Sequence, residues 1–194
     1  MTEISIHNLR CEYTTNPLGI DVQNPRLSWQ IVAERRNVTQ AADQTRCETR
    51  AASCGIRARL MWEMGLLEPG DWQARWIEPE KEVDPEAFKP CPYLHRTFEV
   101  HGQVEKARLY ATAHGCYNVY LNGRHVGDRV FAPGYTSYLK RLQYQVYDVT
   151  EYPQEGGNTI CALLGDGWWR GRGSFIPRYE TTMVTSWPCW LSCT

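Results

Sequence analysis

The feature that most constrains the fold is a series of short alternating segments between residues 93 and 165. Turn residues separate these segments, most clearly Asn122-Gly123, the dipeptide that best fits a two-residue hairpin. Regularly spaced short strands of this kind predict an all-β fold, an antiparallel β-sandwich without a helix longer than a turn or two. Apolar and polar residues alternate in segments 94–100, 107–113, 117–121, 143–149 and 159–164.

The chain before this region is less regular. Residues 27–31 alternate as a strand does, with Leu27, Trp29 and Ile31 on one face. Residues 46–60 follow neither a period of two nor a period of 3.6, because arginines interrupt every apolar face. The sequence therefore predicts a well-defined sandwich that follows a weakly patterned segment.

Charge and composition exclude several classes of function. Lys and Arg number 21 and Asp and Glu 22, so no basic excess attracts nucleic acid or anionic lipid. No apolar run approaches the roughly 20 residues of a membrane helix. The first residues lack the basic and apolar segments of a signal peptide. We therefore expect no nucleic-acid or membrane partner and a cytoplasmic location.

Motifs of self-sufficient catalytic sites are missing from the sequence. The eight cysteines form no CxxC pair and no zinc-ligand spacing with the five histidines, so free thiols are expected. HExxH, GxSxG, P-loop and dinucleotide-binding patterns do not occur. A glycosidase needs two carboxyl groups that face one bond, and the spacing of Asp128, Asp148 and Asp166 singles out no pair. Autonomous catalysis is therefore the least favoured reading.

Residues 164–171 carry the strongest signal for a binding site. Glycines flank Asp166 and allow a sharp turn after a strand, and Trp168, Trp169 and Arg170 follow. Aromatic faces beside planar polar groups are what a sugar site requires. The alternative is that one Trp fills the end of the sandwich and Arg170 caps it. Because adjacent residues of extended chain point to opposite faces, at most one of the two tryptophans should belong to the core.

Two turns are further candidates. Asn122-Gly123 is best read as a plain hairpin turn. Asp128, close to it, is either a ligand for calcium or a sugar hydroxyl, since carboxylates near turns suit hard cations, or a solvated loop acid. Tyr135, within the turn 132–136, is expected to be exposed.

Residues 107–171 also carry six motifs that resemble one known family. The chain there is similar to the N-terminal carbohydrate-binding β-sandwich of bacterial α-L-rhamnosidases, glycoside hydrolase family 78. The motifs are Arg108-Leu-Tyr-Ala-Thr-Ala, Tyr120-Leu-Asn-Gly, Val126-Gly-Asp, Ala132-Pro-Gly-Tyr-Thr, Gln143-Tyr-Gln-Val-Tyr-Asp-Val-Thr and Leu164-Gly-Asp-Gly-Trp-Trp-Arg-Gly.

The resemblance implies a domain organisation. Asn16-Pro-Leu-Gly-Ile-Asp and Pro25-Arg-Leu-Ser-Trp resemble the start of an immunoglobulin-like domain, and Met64-Gly-Leu-Leu and Asp71-Trp-Gln-Ala-Arg-Trp-Ile resemble the approach to the sandwich. The stretch between these pairs of motifs is short for the family. We therefore expect an incomplete immunoglobulin-like, fibronectin III-like segment at 1–60 and a jelly-roll-like sandwich at 61–176.

Residues 177–194 are expected to form an aberrant tail. They show no strand alternation where the family's next strand should follow. In the reading frame that starts at the third base of each codon, the single codons of Met and Trp permit a sequence that resembles this strand. We therefore expect a frame-shifted and poorly ordered tail, an unpaired sheet edge and a tendency to aggregate.

The resemblance also implies a function. The family hydrolyses terminal α-L-rhamnose with carboxylates of a helical domain far downstream, so this chain should supply no catalytic residue and require no cofactor. Its implied partners are a rhamnose-containing carbohydrate and the catalytic domain of the same polypeptide. Some members bind rhamnose with calcium in this sandwich, which makes Asn122, Asp128, Asp166 and Trp168 candidates for such a site. A sandwich that only braces the catalytic domain and binds no sugar is the alternative. An exposed, coplanar Trp168 or Trp169 would favour sugar binding, and burial of both would favour the brace.

Overall fold

The chain divides into two compact units, residues 1–71 and 72–194. The computed structural model describes residues 4–34, 45–48, 51–54, 59–78, 90–170, 183–186 and 189–190. Nearly all the described regular structure is β-strand, and all the pairing between named strands is antiparallel, which confirms the predicted fold class. No described helix is long and apolar enough to cross a membrane.

The first unit contains two small sheets. The alternation at residues 27–31 correctly predicted β2, which pairs with β1. The other sheet has the order β3-β4-β5. It lies largely within residues 46–60, where arginines interrupt any period of apolar residues. The strands are β1 (Ile4–Cys11), β2 (Leu27–Ala33), β3 (Thr45–Glu48), β4 (Ala51–Cys54) and β5 (Arg59–Leu60), and a single 3₁₀ turn follows at Pro69–Asp71.

A small apolar core closes the first unit. Cys11, Ile20 and Leu60 are buried, and Met64 packs against them. The backbone of Ile20 donates to Glu63 O at 3.0 Å and accepts from Gly65 N at 2.7 Å. The segment after residue 60, which the sequence assigned to the sandwich, therefore packs in the first unit.

The second unit is built from two sheets that enclose one core. One sheet has the order β6-β11-β8-β9, and in the other β7 lies between β10 and β12. The elements are β6 (Tyr93–Val100), β7 (Lys106–Ala113), β8 (Cys116–Leu121), β9 (Arg124–His125), β10 (Gln145–Asp148), β11 (Gly156–Gly165), α1 (Gly167–Arg170), β12 (Met183–Ser186) and β13 (Cys189–Trp190).

The alternation of β8 and β11 decides which side chains enter this core. Tyr117, Val119 and Leu121 of β8 are buried, and so are Ala162 and Leu164 of β11. These side chains pack against Leu109, Ala111 and Val149 in one continuous cluster. Every second residue of each strand is thus committed to the core, and binding residues must come from the outer faces or from the ends of the strands.

The strands β12 and β13 correct one expectation. Residues 177–194 were expected to lack strand structure, yet Met183–Ser186 pairs with β7, and Cys189–Trp190 pairs with β7 further along. The free edge of β7 explains this, because its unpaired N–H and C=O groups can pair with a neighbouring segment whatever the alternation of its side chains. The remaining residues of the tail, Cys193 among them, lie outside the described part of the chain.

Candidate functional site

The turn after β11 is shaped by close backbone contacts at glycines. Gly165 pairs with Cys116 at the start of β8. A Cβ atom on Gly115 would lie 2.3 Å from the carbonyl oxygen of Gly165, and one on Gly167 would lie 2.6 Å from Cys116 Sγ. Gly167 also has a φ of 51°, in the left-handed region that glycine tolerates best. The chain can therefore reach α1 at this position only with glycines.

Trp168 and Trp169 follow this turn and have opposite environments. Trp168 is 44% exposed, whereas Trp169 is 4% exposed. The expectation that at most one of them is core is confirmed, but its reasoning needs a correction. The pair lies in α1, a single helical turn, and not in extended chain. Adjacent side chains of a helix diverge by about 100° around its axis, because one turn holds 3.6 residues.

Trp168 stands between two other exposed rings. Phe131 lies 5.9 Å from it between ring centroids, and Tyr135 lies 6.2 Å from it. Phe131 is 64% exposed and Tyr135 66%, as expected for Tyr135 from its turn. We call Phe131, Tyr135 and Trp168 the aromatic platform. Both rings are steeply inclined to the indole plane, at angles of 66° and 67°.

The backbone of the platform is conformationally unusual. Phe131 has a φ of 57°, a value rare for a large side chain. Residues held in such sparsely populated regions cost about 1–3 kcal/mol and cluster at functional sites. The tight conformation turns the ring of Phe131 outward, where it meets Trp168.

Of the polar candidates in this segment, Asp166 is close to Trp168 in the sequence. Its side chain is exposed and stands two residues before Trp168. Arg170 ends α1, and its side chain lies outside the described part of the chain. The exposed carboxylate of Asp166 is therefore the polar group that the structure places beside Trp168 in the chain.

Trp169 belongs to a stack of three aromatic rings. His114 lies between Trp169, at 4.2 Å and 11°, and Trp76, at 4.5 Å and 7°. Tyr138 meets the edges of this stack, 5.3 Å from Trp169. We call Trp76, His114 and Trp169 the aromatic stack. Burial lowers the pKa of His114 and raises that of Tyr138, so both rings are neutral at pH 7.

Asn122 is engaged in the hairpin between β8 and β9. Its φ of 49° and the φ of 78° at Gly123 fit the two-residue turn that the sequence predicted. Its side-chain amide donates to Asn158 Oδ1 at 2.8 Å and to Tyr152 O at 3.0 Å, and its Oδ1 accepts from Thr159 N at 2.8 Å. These bonds tie the hairpin to β11.

The structure does not bring Asn122 to Trp168. Asn122 follows the last residue of β8, whereas the turn that carries Trp168 adjoins Cys116, the first residue of β8. The six residues of β8 span about 20 Å at the usual rise of a strand. Asn122 and Trp168 thus stand at opposite ends of the sheet.

Asp128 lies on an exposed segment beside β8. Burial raises the pKa of Tyr147, whose phenol is 3.2 Å from that of buried Tyr117, and the charge of Asp128 adds a smaller contribution in the same direction. Among the described residues, no three His, Cys, Asp or Glu side chains are grouped as metal ligands. Calcium takes six to eight oxygens, so Asp128 would have to share such an ion with carbonyl and water oxygens.

Asp148 is committed to the fold. It forms an ion pair of 2.6 Å with Arg108 and accepts hydrogen bonds from Thr150 Oγ1 at 2.7 Å and Thr150 N at 3.0 Å. Burial raises the pKa of this carboxyl, but the bonds from Thr150 and the charges of Arg108 and Lys106 outweigh it, so the pKa lies below its ordinary value. Asp148 therefore stabilises the segment after β10 as a carboxylate.

The sequence reasoning missed Phe131 and His114. Phe131 stands in an apolar run just before a proline turn, which is a weak sign of an exposed ring. His114 carried no motif at all, although Trp72 and Trp76 stood four residues apart in the preceding segment. Cys91, Cys116 and Cys161 are free thiols, as expected.

Two protein families match the chain. Residues 102–191 match the α-L-rhamnosidase N-terminal domain, so the match extends into the tail. Residues 6–76 match the Rha78A-like N-terminal immunoglobulin domain, so this match extends past residue 60. The two matches agree with the division into two units near residues 71–76.

Curated relatives of this chain are α-L-rhamnosidases. The chain is 42% identical over 125 residues to an α-L-rhamnosidase of Formosa agariphila, which covers 61% of this chain and 13% of the relative. It is 51% identical over 123 residues to an α-L-rhamnosidase of Streptomyces avermitilis, which covers 60% of this chain and 12% of the relative. The matched segments thus amount to about an eighth of these relatives.

Solved structures show the same fold. The Streptomyces avermitilis α-L-rhamnosidase complexed with L-rhamnose has a TM-score of 0.79 at 17% identity, over 95% of this chain and 39% of that one. The α-L-rhamnosidase from Dictyoglumus thermophilum has a TM-score of 0.76 at 24% identity, over 94% of this chain and 28% of that one. Residues 6–76 and 102–191 thus match, in this order, two N-terminal domain families of α-L-rhamnosidases.

Proposed function

We propose that the second unit is a carbohydrate-binding accessory domain of an α-L-rhamnosidase and that the aromatic platform contacts the sugar. The exposure of Trp168 is the observation that carries the proposal. An indole of which 44% remains in water, at the end of a sandwich whose core is already filled, has an apolar face available for a ligand. The names of the relatives suggest a carbohydrate that contains rhamnose.

The shape of the platform suits a single sugar ring. The C–H groups of a sugar pack on the flat indole face, and the inclined rings of Phe131 and Tyr135 limit how the sugar turns. The exposed carboxylate of Asp166 can accept hydrogen bonds from sugar hydroxyls. A shallow site with few polar groups binds weakly, so we expect a Kd of about 1 mM or above.

A structural brace is the second candidate. Val130 and Leu139 are largely exposed near the platform in the sequence, and such apolar side chains suit contact with another protein domain. In that case another part of the parent polypeptide would cover the platform, and no sugar would bind there.

Calorimetric titration with L-rhamnose tests the proposal. The wild-type chain should bind with millimolar affinity, and Trp168→Ala should abolish the binding. Tyr13→Ala, which removes an exposed aromatic ring from the other unit, is the matched control and should bind as the wild type does. The absence of saturable heat for the wild type, with and without calcium, would favour the structural brace.

Calcium is tested by the same titration. If Asp128 holds an ion that assists binding, calcium should strengthen rhamnose binding in the wild type and not in Asp128→Asn. Equal affinities with and without calcium would remove calcium from the proposal and leave the platform in place.

A further inference from the structure

The aromatic platform and the aromatic stack are parts of one continuous row of rings. Neighbouring rings of the row lie between 4.2 and 6.2 Å apart, centroid to centroid. We call this row the aromatic belt. Its members in order are Trp76, His114, Trp169, Tyr138, Tyr135, Trp168 and Phe131.

Trp76 ends the belt with an open ring face. One face lies against His114, nearly parallel at 7° and 4.5 Å. Nevertheless, Trp76 is 48% exposed, so the face opposite His114 is in water. Trp169, on the other side of the same imidazole, is almost completely buried. A ring that served only to fill space beside His114 would be covered as Trp169 is.

The residues around Trp76 resemble those of a sugar site in composition. Gln73 and Arg75 are exposed on the same short segment and carry planar amide and guanidinium groups that can hydrogen-bond to hydroxyls. Trp72, at the start of this segment, packs on Tyr144, which packs in turn on Tyr110 of β7. The segment is thus anchored on the second unit at Trp72 and at Trp76, which holds the open indole in a fixed place.

We propose that Trp76 forms a second carbohydrate subsite and that the belt binds an oligosaccharide of several residues, with its terminal sugar on the platform. This inference rests on the proposed function of Trp168. The belt provides an exposed indole at Trp76 and another at Trp168, connected by packed rings of which Trp169 and Tyr138 are buried. Sugar rings pack their C–H groups on exposed indole faces, and the amide of Gln73 and the guanidinium of Arg75 can hydrogen-bond to sugar hydroxyls.

The test compares two ligands of different length on the complete chain. L-rhamnose reaches the platform alone, whereas a pentasaccharide with a terminal α-L-rhamnose can reach both ends of the belt. The wild type should bind the pentasaccharide about tenfold more tightly, the ratio given by one extra contact of moderate strength. Trp76→Ala should remove that gain and leave the affinity for L-rhamnose unchanged, and Trp168→Ala should weaken both ligands.

The results separate the alternatives. If Trp76→Ala binds both ligands as the wild type does while Trp168→Ala loses both, the second subsite is refuted and the proposed function stands. If Trp76→Ala weakens both ligands equally, Trp76 acts only through the fold, which also refutes the subsite. Binding of neither ligand by the wild type refutes both proposals. Trp76→Phe retains a ring against His114 and should lose the gain in part, so it serves where Trp76→Ala does not fold.

Discussion

Adjacent residues in this chain can have unrelated roles, and Trp168 and Trp169 show why. Both are tryptophans beside the same glycines, and the sequence could predict that at most one would be buried. It could not predict which of the two is buried. That depends on the helical turn of four residues that carries them, and on the positions of His114 beside Trp169 and of Phe131 beside Trp168. The sugar-binding hypothesis depended on this choice, and the exposure of Trp168 favours it.

This difference in burial predicts losses of stability of different size. Trp169→Ala should lower the free energy of unfolding of the second unit by about 3–5 kcal/mol, because it leaves a cavity beside His114 and Tyr138. Trp168→Ala, the matched variant at the exposed neighbour, should cost about 1 kcal/mol or less. Denaturant unfolding followed by circular dichroism measures both. Equal losses would mean that the two indoles are packed alike.

His114 predicts a dependence of stability on pH. Burial lowers the pKa of its imidazole in the folded chain, so the unfolded chain binds the proton more readily. Stability from this group is therefore complete above the unfolded pKa of about 6.5 and decreases as the pH falls below it. Unfolding measured between pH 7.5 and 5.5 should show this loss, and His114→Phe, which retains a ring between the two indoles, should show less of it. The same slope in both proteins would contradict the assignment.

Among the elements, those with strict alternation were the predictable ones. The six strands that alternation indicated all occur: β2, β6, β7, β8, β10 and β11. In β8 and β11 the alternation reflects one face in the core and one outside. The sequence missed β1, in which the alternation of Ile4 and Ile6 ends at a register shift between His7 and Arg10. The other missed strands lack the pattern. β3 to β5 are short and interrupted by arginines, and β12 and β13 owe their place to the free edge of β7.

In the hairpin of β8 and β9, Asn122 is a turn residue whose side chain holds the fold together. The turn at Asn122-Gly123 followed from the sequence, but the bonds of the Asn122 amide to Tyr152 and Asn158 did not, since they join segments more than 25 residues apart. Such partners depend on the register of β8 against β11, which a local pattern does not contain.

Asn122→Ala is therefore predicted to act on stability. It removes three hydrogen bonds and leaves the buried amide of Asn158 with fewer partners, at a cost of about 2–4 kcal/mol. Asn118→Ala, on the outer face of β8 with one contact of 3.4 Å to His125, is the matched control and should cost less than about 1 kcal/mol. Thermal unfolding compares them. Weaker rhamnose binding by a stably folded Asn122→Ala would instead place Asn122 in the sugar site.

At the scale of the whole molecule, the chain contains two compact units, and the two matched N-terminal domain families follow the same order along it. Both domains could be foreseen from motifs, but the boundary lies between Asp71 and Trp72 because residues 60–65 complete the core of the first unit. The connecting segment that begins at Trp72 packs with the second unit, and it brings Trp76 to His114. No local pattern of the sequence indicated that packing.

The chain alone is predicted to hydrolyse no rhamnoside. Its two matched regions correspond to N-terminal domains, and the matches cover about an eighth of the Formosa agariphila and Streptomyces avermitilis relatives. Its sequence singles out no pair of carboxylates for acid and base. Incubation with a chromogenic α-L-rhamnoside should give no colour above a buffer blank. Sustained release that survives repurification, and that is lost in Asp166→Asn, would assign a catalytic carboxylate to this chain.

The most direct measurement of the central claim is a ¹H–¹⁵N NMR titration of the chain with L-rhamnose, followed at the indole N–H signals. The account predicts saturable shifts of the Trp168 indole signal and of the backbone amide signals of Phe131 and Tyr135. It predicts little change at Trp169, because that indole is buried. Saturable shifts confined to the hairpin at Asn122 would move the site to the opposite end of β8. No shift at any tryptophan up to tens of millimolar sugar would contradict the claim that this sandwich binds carbohydrate through Trp168.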